Sequence, residues 1–129
     1  MTANVMVVEN EPKLRSEIRS ALNEAVFQVE DASDYFEALW KLDEFKPDLV
    51  VVDEKLPLVS GWEACYELHW TFGIPVILLG EEHRGDIWVE VLQSGADFYL
   101  RMPCSYIVLS ARIKAILRRY RKDAAGSRN

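Results

Sequence analysis

Residues 48–53 read Asp-Leu-Val-Val-Val-Asp, and no other stretch limits the fold so strongly. A leucine and three β-branched valines follow one another without a polar break. A short apolar run of that kind predicts a strand buried on both faces, which belongs in a parallel sheet covered by helices. In such sheets ligands bind beyond the carboxyl ends of the strands. Asp53 stands at one of those ends, so its carboxylate is the first candidate for chemistry.

The rest of the chain repeats the theme. Residues 4–8 form a short apolar run ending at Glu9, and Pro12 suits the first turn of a helix. Leu14, Ile18, Ala21 and Leu22 then recur at helical spacing. Residues 26–30 predict a second strand, and Ser33 or Asp34 can cap a second helix whose inner face carries Ala38, Leu39 and Leu42. After Asp53, a loop punctuated by Pro57 and Gly61 leads to a third helix with Ala64, Cys65 and Leu68 inward. Residues 74–79 are another buried strand, 84–94 a fourth helix closed by Gly95, 98–101 a fifth strand and 105–121 a last helix. Five strand–helix repeats predict an α/β fold with helices on both faces of a parallel sheet. With right-handed crossovers, the flavodoxin-like (βα)5 order 2-1-3-4-5 is expected. Glu9, Asn10 and Asp53 would then meet above strands one and three.

At 129 residues the chain has the size of one domain. We expect that domain over residues 1–122, with 123–129 a tail or the start of a linker to an output domain outside this chain. The formal charge is −6, but seven of the fifteen basic residues lie from Arg112 onward, against one acid. An acidic body with one basic helix is a poor nucleic-acid binder as a whole. The basic end reads as a solvated helix face whose cations suit a helix C-terminus. Cys65 and Cys104 have the spacing of neither a disulfide framework nor a zinc site. No apolar run is long enough to span a bilayer and no signal peptide precedes Val5, so a cytoplasmic protein without a membrane partner is expected.

Three segments together resemble the receiver domain of bacterial two-component response regulators. Val7-Val8-Glu9-Asn10-Glu11-Pro12 is similar to the family's acidic opening, usually Val-Asp-Asp-Glu-Pro. Asp48 to Asp53, followed by Leu56-Pro57 and Ser60-Gly61, is similar to the phosphoacceptor segment. Gly95-Ala96-Asp97-Phe98-Tyr99-Leu100 and Met102-Pro103 resemble the family's Gly-Ala-Asp-Asp-Tyr-Leu and Lys-Pro. The last helix is similar to that of the OmpR/PhoB subgroup, where the receiver precedes a winged-helix DNA-binding domain.

The resemblance implies phosphoryl transfer to Asp53, with two acids holding Mg²⁺ and a lysine and a hydroxyl binding the phosphoryl oxygens. The chain keeps the acceptor and departs at the other positions. Glu9 replaces the companion aspartate and Asn10 the principal metal-binding one. Gly80 stands in place of the Ser/Thr hydroxyl, and Met102 in place of the lysine. Arg101 is adjacent, but strand neighbours point to opposite faces, so it is no simple substitute. Contacts to charged groups contribute about 1.5–3 kcal/mol each, so losing the lysine, the hydroxyl and a metal carboxylate together should remove several kcal/mol. We therefore expect a degenerate site that uses no cofactor, or binds Mg²⁺ only weakly through Glu9 and Asp53. Tyr99, the family's inward-moving aromatic, would lack its trigger.

The same resemblance places a second expectation on helix four, strand five and helix five, the face through which the subgroup's active receivers pair. Trp88 takes the place of a basic residue, Val108 of an acid and Phe98 of the second aspartate, while Asp97 and Arg112 persist. Three charged positions have become apolar, the composition of an interface. The expected function is a phosphorylation-independent receiver, not an enzyme, that homodimerises through this face. It would regulate a transcription factor that touches DNA only through its output domain. The alternative is a working Mg²⁺-dependent phosphoacceptor served by a histidine kinase. A flavin-binding flavodoxin is disfavoured, because the first loop, 9–12, is acidic and lacks phosphate-holding residues.

Overall fold

A computed structural model describes residues 2–126. The order is β1 (Asn4–Val8), α1 (Pro12–Glu24), β2 (Gln28–Ala32), α2 (Tyr35–Phe45), β3 (Leu49–Asp53), α3 (Gly61–Trp70), β4 (Val76–Gly80), α4 (Ile87–Ser94), β5 (Phe98–Arg101) and α5 (Tyr106–Gly126). The five strands form one parallel sheet in the order β2-β1-β3-β4-β5, as the strand–helix alternation predicts.

Alternation along each strand divides the core into two layers. Val5, Val7, Leu49, Val51, Ile77, Leu79 and Leu100 face α1 and α5, where Ile18, Leu22, Leu109 and Ile113 meet them. Met6, Val8, Val50, Val52, Val76, Leu78 and Tyr99 face α2, α3 and α4, where Ala38, Leu42, Ala64, Cys65, Leu68 and Val91 meet them. The β3 valines serve both layers in turn, which is why this strand carries no polar break.

Local signals set the helix ends. The Glu11 carboxylate caps α1, accepting the N–H groups of Lys13 (3.1 Å) and Leu14 (2.6 Å) just before Pro12. Asp34 caps α2 and Ser60 caps α3, each through a bond from the third residue on. Gly95 closes α4 at φ +80°, and a Cβ there would meet the His69 ring at 2.5 Å.

Four boundaries depart from the sequence reading. β2 begins two residues later than expected, because Val26 is in the left-handed region (φ 72°) and 75% exposed, part of the turn out of α1. β4 is Val76–Gly80 instead of 74–79, since its pairing with β3 starts at Val50 and Val76. α4 starts at Ile87, because the Arg84 guanidinium gathers Glu82, Asp86 and Glu90 around an irregular turn ahead of the helix. α5 continues to Gly126, so residues 123–126 of the expected tail are helical, and 127–129 lie outside the described residues.

Candidate functional site

The site grows from the register of β1 and β3. Val8 pairs with Val52, so the next residues, Glu9 and Asp53, stand side by side where the strands end. Glu9 is 2% exposed. Its N–H bonds the Ala32 carbonyl (2.9 Å), and its Oε2 accepts the Glu11 N–H (3.1 Å). Oε1 is buried with no hydrogen-bond partner. Desolvation by burial, followed by a hydrogen bond to Asp53, raises the Glu9 pKa to about 8. A proton retained on Glu9 and given to Asp53 supplies the bond that the orphaned oxygen lacks. Asp53 is half-buried and its Oδ1 accepts the Lys55 N–H (2.8 Å). Asn10 is exposed, and its amide donates to the Ser33 carbonyl (3.2 Å).

Gly80 ends β4 beside this pair, and the space above it is taken. A Cβ on Gly80 would land on the Tyr99 hydroxyl and the Glu54 carboxylate. Tyr99 is turned inward at 3% exposure. Its hydroxyl donates to Glu54 Oε1 (3.3 Å) and accepts the Glu82 N–H (2.9 Å). Burial pushes its pKa up to about 12. Met102 packs its half-buried side chain on the α1–α5 layer, with Cys104 Sγ at 3.4 Å from Sδ, and brings no charge to the pocket. Arg101 leaves the pocket to meet His83 Nδ1 (3.0 Å). Lys55 stands on the rim, paired with Glu81 Oε2 (3.0 Å), which raises its pKa.

Residues 5–114 match the family described as the response regulator receiver domain. The chain belongs to this family. It is 37% identical over 122 residues to the phosphate regulon transcriptional regulatory protein PhoB of Escherichia coli, an alignment spanning 92% of this chain and 53% of that one. To the transcriptional regulatory protein AfsQ1 of Streptomyces coelicolor it is 35% identical over 125 residues, 96% of this chain and 55% of the relative. The chain thus spans about half the length of the curated relatives it matches. The receiver domain of Francisella response regulator 1452 superposes with a TM-score of 0.85 at 27% identity, over 92% of this chain and 99% of that one. A CheY-like receiver domain from Methanospirillum hungatei shares the fold at TM-score 0.86 and 24% identity, over 95% and 99% of the two chains.

The receiver resemblance implies Mg²⁺ at the acidic end of the sheet, and the donors there fit such an ion in part. Mg²⁺ takes one or two carboxylates from protein and completes its shell with water or phosphate. Glu9 and Asp53 would be those two, with Glu9 Oε1 open to the ion once the proton shared with Asp53 has left. Asn10 offers a neutral amide. Among the described residues no group of three or more His, Cys, Asp or Glu can hold a metal. An ion would first have to displace the Glu9 proton, so affinity falls as pH falls.

The second candidate region lies across α4, β5 and α5. Trp88 packs on Phe98 (centroids 5.7 Å apart), and the Arg112 guanidinium carbon sits 4.0 Å above the Phe98 ring. Trp88 and Val108 are each 46% exposed. Trp88 therefore packs partly on its own chain and still presents apolar surface. Val89 and Leu92 (78% exposed) enlarge the α4 part of the face; the sequence reading missed them because it followed only positions where a charge was lost. Asp97, expected there as a pairing charge, is committed within the chain. Its Oδ2 accepts the Val76 N–H (2.8 Å) and its Oδ1 the Tyr120 hydroxyl (2.7 Å). Among the described residues no helix is long and apolar enough to cross a membrane.

Proposed function

We propose that this receiver signals by assembly and not by phosphorylation of Asp53. It pairs with a second copy through the α4–β5–α5 face and serves as the regulatory module of a DNA-binding transcription regulator, with the receiver over residues 1–122 and α5 leading on toward an output domain. The observation that carries this reading is the Trp88–Phe98–Arg112 stack between α4, β5 and α5, with Trp88 and Leu92 of α4 and Val108 of α5 left exposed. Apolar side chains at positions where the subgroup pairs by charge favour an interface that needs no phosphate to form. The pocket supports the same reading, since neither Gly80 nor Met102 can bind a phosphoryl oxygen and Asn10 weakens the metal site. Such a chain acts as a signalling module in the cytoplasm, not as an enzyme.

The test is the mass of the untreated protein in solution by sedimentation, beside Trp88→Glu. A dimer that the substitution converts to monomer supports the proposal. A wild-type monomer, or a dimer unchanged by Trp88→Glu, overturns it.

A second reading has one observation in its favour. Asp53 keeps a backbone donor in Lys55 and an ammonium on the rim of its pocket, so a histidine kinase with Mg²⁺ could still use it as a phosphoacceptor. Tight Mg²⁺ binding at neutral pH would favour that reading.

A further inference from the structure

We infer that Glu54 is a built-in latch: it holds Tyr99 inward and the loop after β4 closed without a phosphoryl group, and Gly80 is the residue that makes room for it.

Glu54 follows Asp53 and is bound to β4 by its own N–H, which donates to the Leu79 carbonyl (2.8 Å). Its side chain then crosses to the start of the β4–α4 loop. Oε2 accepts the Glu81 N–H (2.8 Å), and the carboxylate also accepts the Tyr99 hydroxyl (3.3 and 3.4 Å to its two oxygens). Tyr99 passes the connection on by accepting the Glu82 N–H (2.9 Å). Two successive loop amides are thus tied to one carboxylate, one directly and one through the phenol. Lys55 adds an outer tie to Glu81 (3.0 Å).

A buried phenol needs a polar partner, and here Glu54 and the Glu82 amide provide both of its bonds. The arrangement depends on Gly80, because any side chain there would occupy the places of the Tyr99 hydroxyl and the Glu54 carboxylate. The glycine that removes a phosphoryl-binding hydroxyl is therefore also the glycine that admits the latch. The Tyr99 ring lies stacked on Trp62 (5.8 Å, 15°) and edge-on to Trp88 (6.5 Å, 83°). The latch is in this way connected to the α4 face; that last link rests on the dimer reading, the latch itself does not.

Amide hydrogen exchange of the full chain, followed by NMR, tests the proposal residue by residue. Glu54→Ala should accelerate exchange of the Glu81 and Glu82 amides by about ten- to a hundredfold, as expected for loss of bonds to a charged acceptor. Tyr99→Phe should accelerate Glu82 and leave Glu81 slow. Gly80→Thr should abolish the cross-relaxation between the Tyr99 and Trp62 rings, while Lys55→Ala preserves it. Equal exchange in wild type, Glu54→Ala and Tyr99→Phe would overturn the latch, as would a Tyr99 ring still stacked on Trp62 in Gly80→Thr. If Glu54→Ala does not fold, the Tyr99→Phe pattern decides alone. Sedimentation of the same samples separates the two proposals: a dimer with unprotected amides refutes the latch alone, and a monomer with protected amides refutes the dimer alone.

Discussion

Replacing Glu9 by glutamine should flatten the pH dependence of stability. Glu9 is buried at the end of β1 with one orphaned oxygen, and burial followed by its bond to Asp53 lifts its pKa from 4.5 to about 8. The folded pKa is above the unfolded one. The stability this group contributes is therefore complete below about pH 4.5 and is lost as pH rises through about 8. Between those values the folded chain holds one more proton than the unfolded chain, and stability falls by at most about 1.4 kcal/mol per pH unit. From about pH 5.5 to about pH 7.5 the loss is about 2–3 kcal/mol. Glutamine carries no charge to expel; its oxygen can still accept the Glu11 N–H and its amide can donate toward Asp53. Glu9→Gln should thus match wild type near pH 5 and exceed it by about 2–3 kcal/mol at about pH 7 to 7.5, the gap widening until pH passes about 8. Urea denaturation across the pH range measures this directly. Parallel curves for the two proteins would refute the account of the Glu9 proton.

Further outcomes follow from other contacts. Asp97→Ala removes acceptors from the Val76 amide and the Tyr120 hydroxyl, and should cost about 1–3 kcal/mol in denaturant unfolding. A change below about 0.5 kcal/mol would mean the staple between β4 and α5 is not formed in solution. Tyr99 should ionise near 12, visible as the difference in phenolate absorbance between wild type and Tyr99→Phe. Its folded pKa is raised, so its stabilising share holds below about pH 10 and is lost as pH climbs toward 12. A difference centred at the ordinary value near 10 would place the ring in water.

Much of the fold was legible because the β-branched runs and the amphipathic helices alternate so regularly. The Leu49–Val52 run read as a strand covered on both faces and is one, with Asp48 left exposed before it, and Ala64, Cys65 and Leu68 face inward as their helical spacing implied. Boundaries were harder where local and tertiary preferences compete. Val26 has strand propensity, yet the turn out of α1 needs a residue at positive φ there, and the ladder with β1 starts at Gln28. Glu9, Asn10, Asp53, Gly80 and Met102 were legible as residues at strand ends. Glu54 was not, because nothing in a linear reading says that the space left by one glycine is filled by a carboxylate twenty-six residues earlier and a phenol nineteen residues later. The burial of Glu9 was equally hidden, since a glutamate after a strand is ordinarily solvated.

The most direct test of phosphate independence is the intact mass of the protein after incubation with Mg²⁺ and acetyl phosphate, beside an Asp53→Ala control. Wild type and control should both keep their unmodified mass, and the oligomeric state of wild type should be the same before and after treatment. A gain of one phosphoryl group in wild type alone would contradict phosphate independence, because the pocket would then be transferring phosphate despite Asn10, Gly80 and Met102.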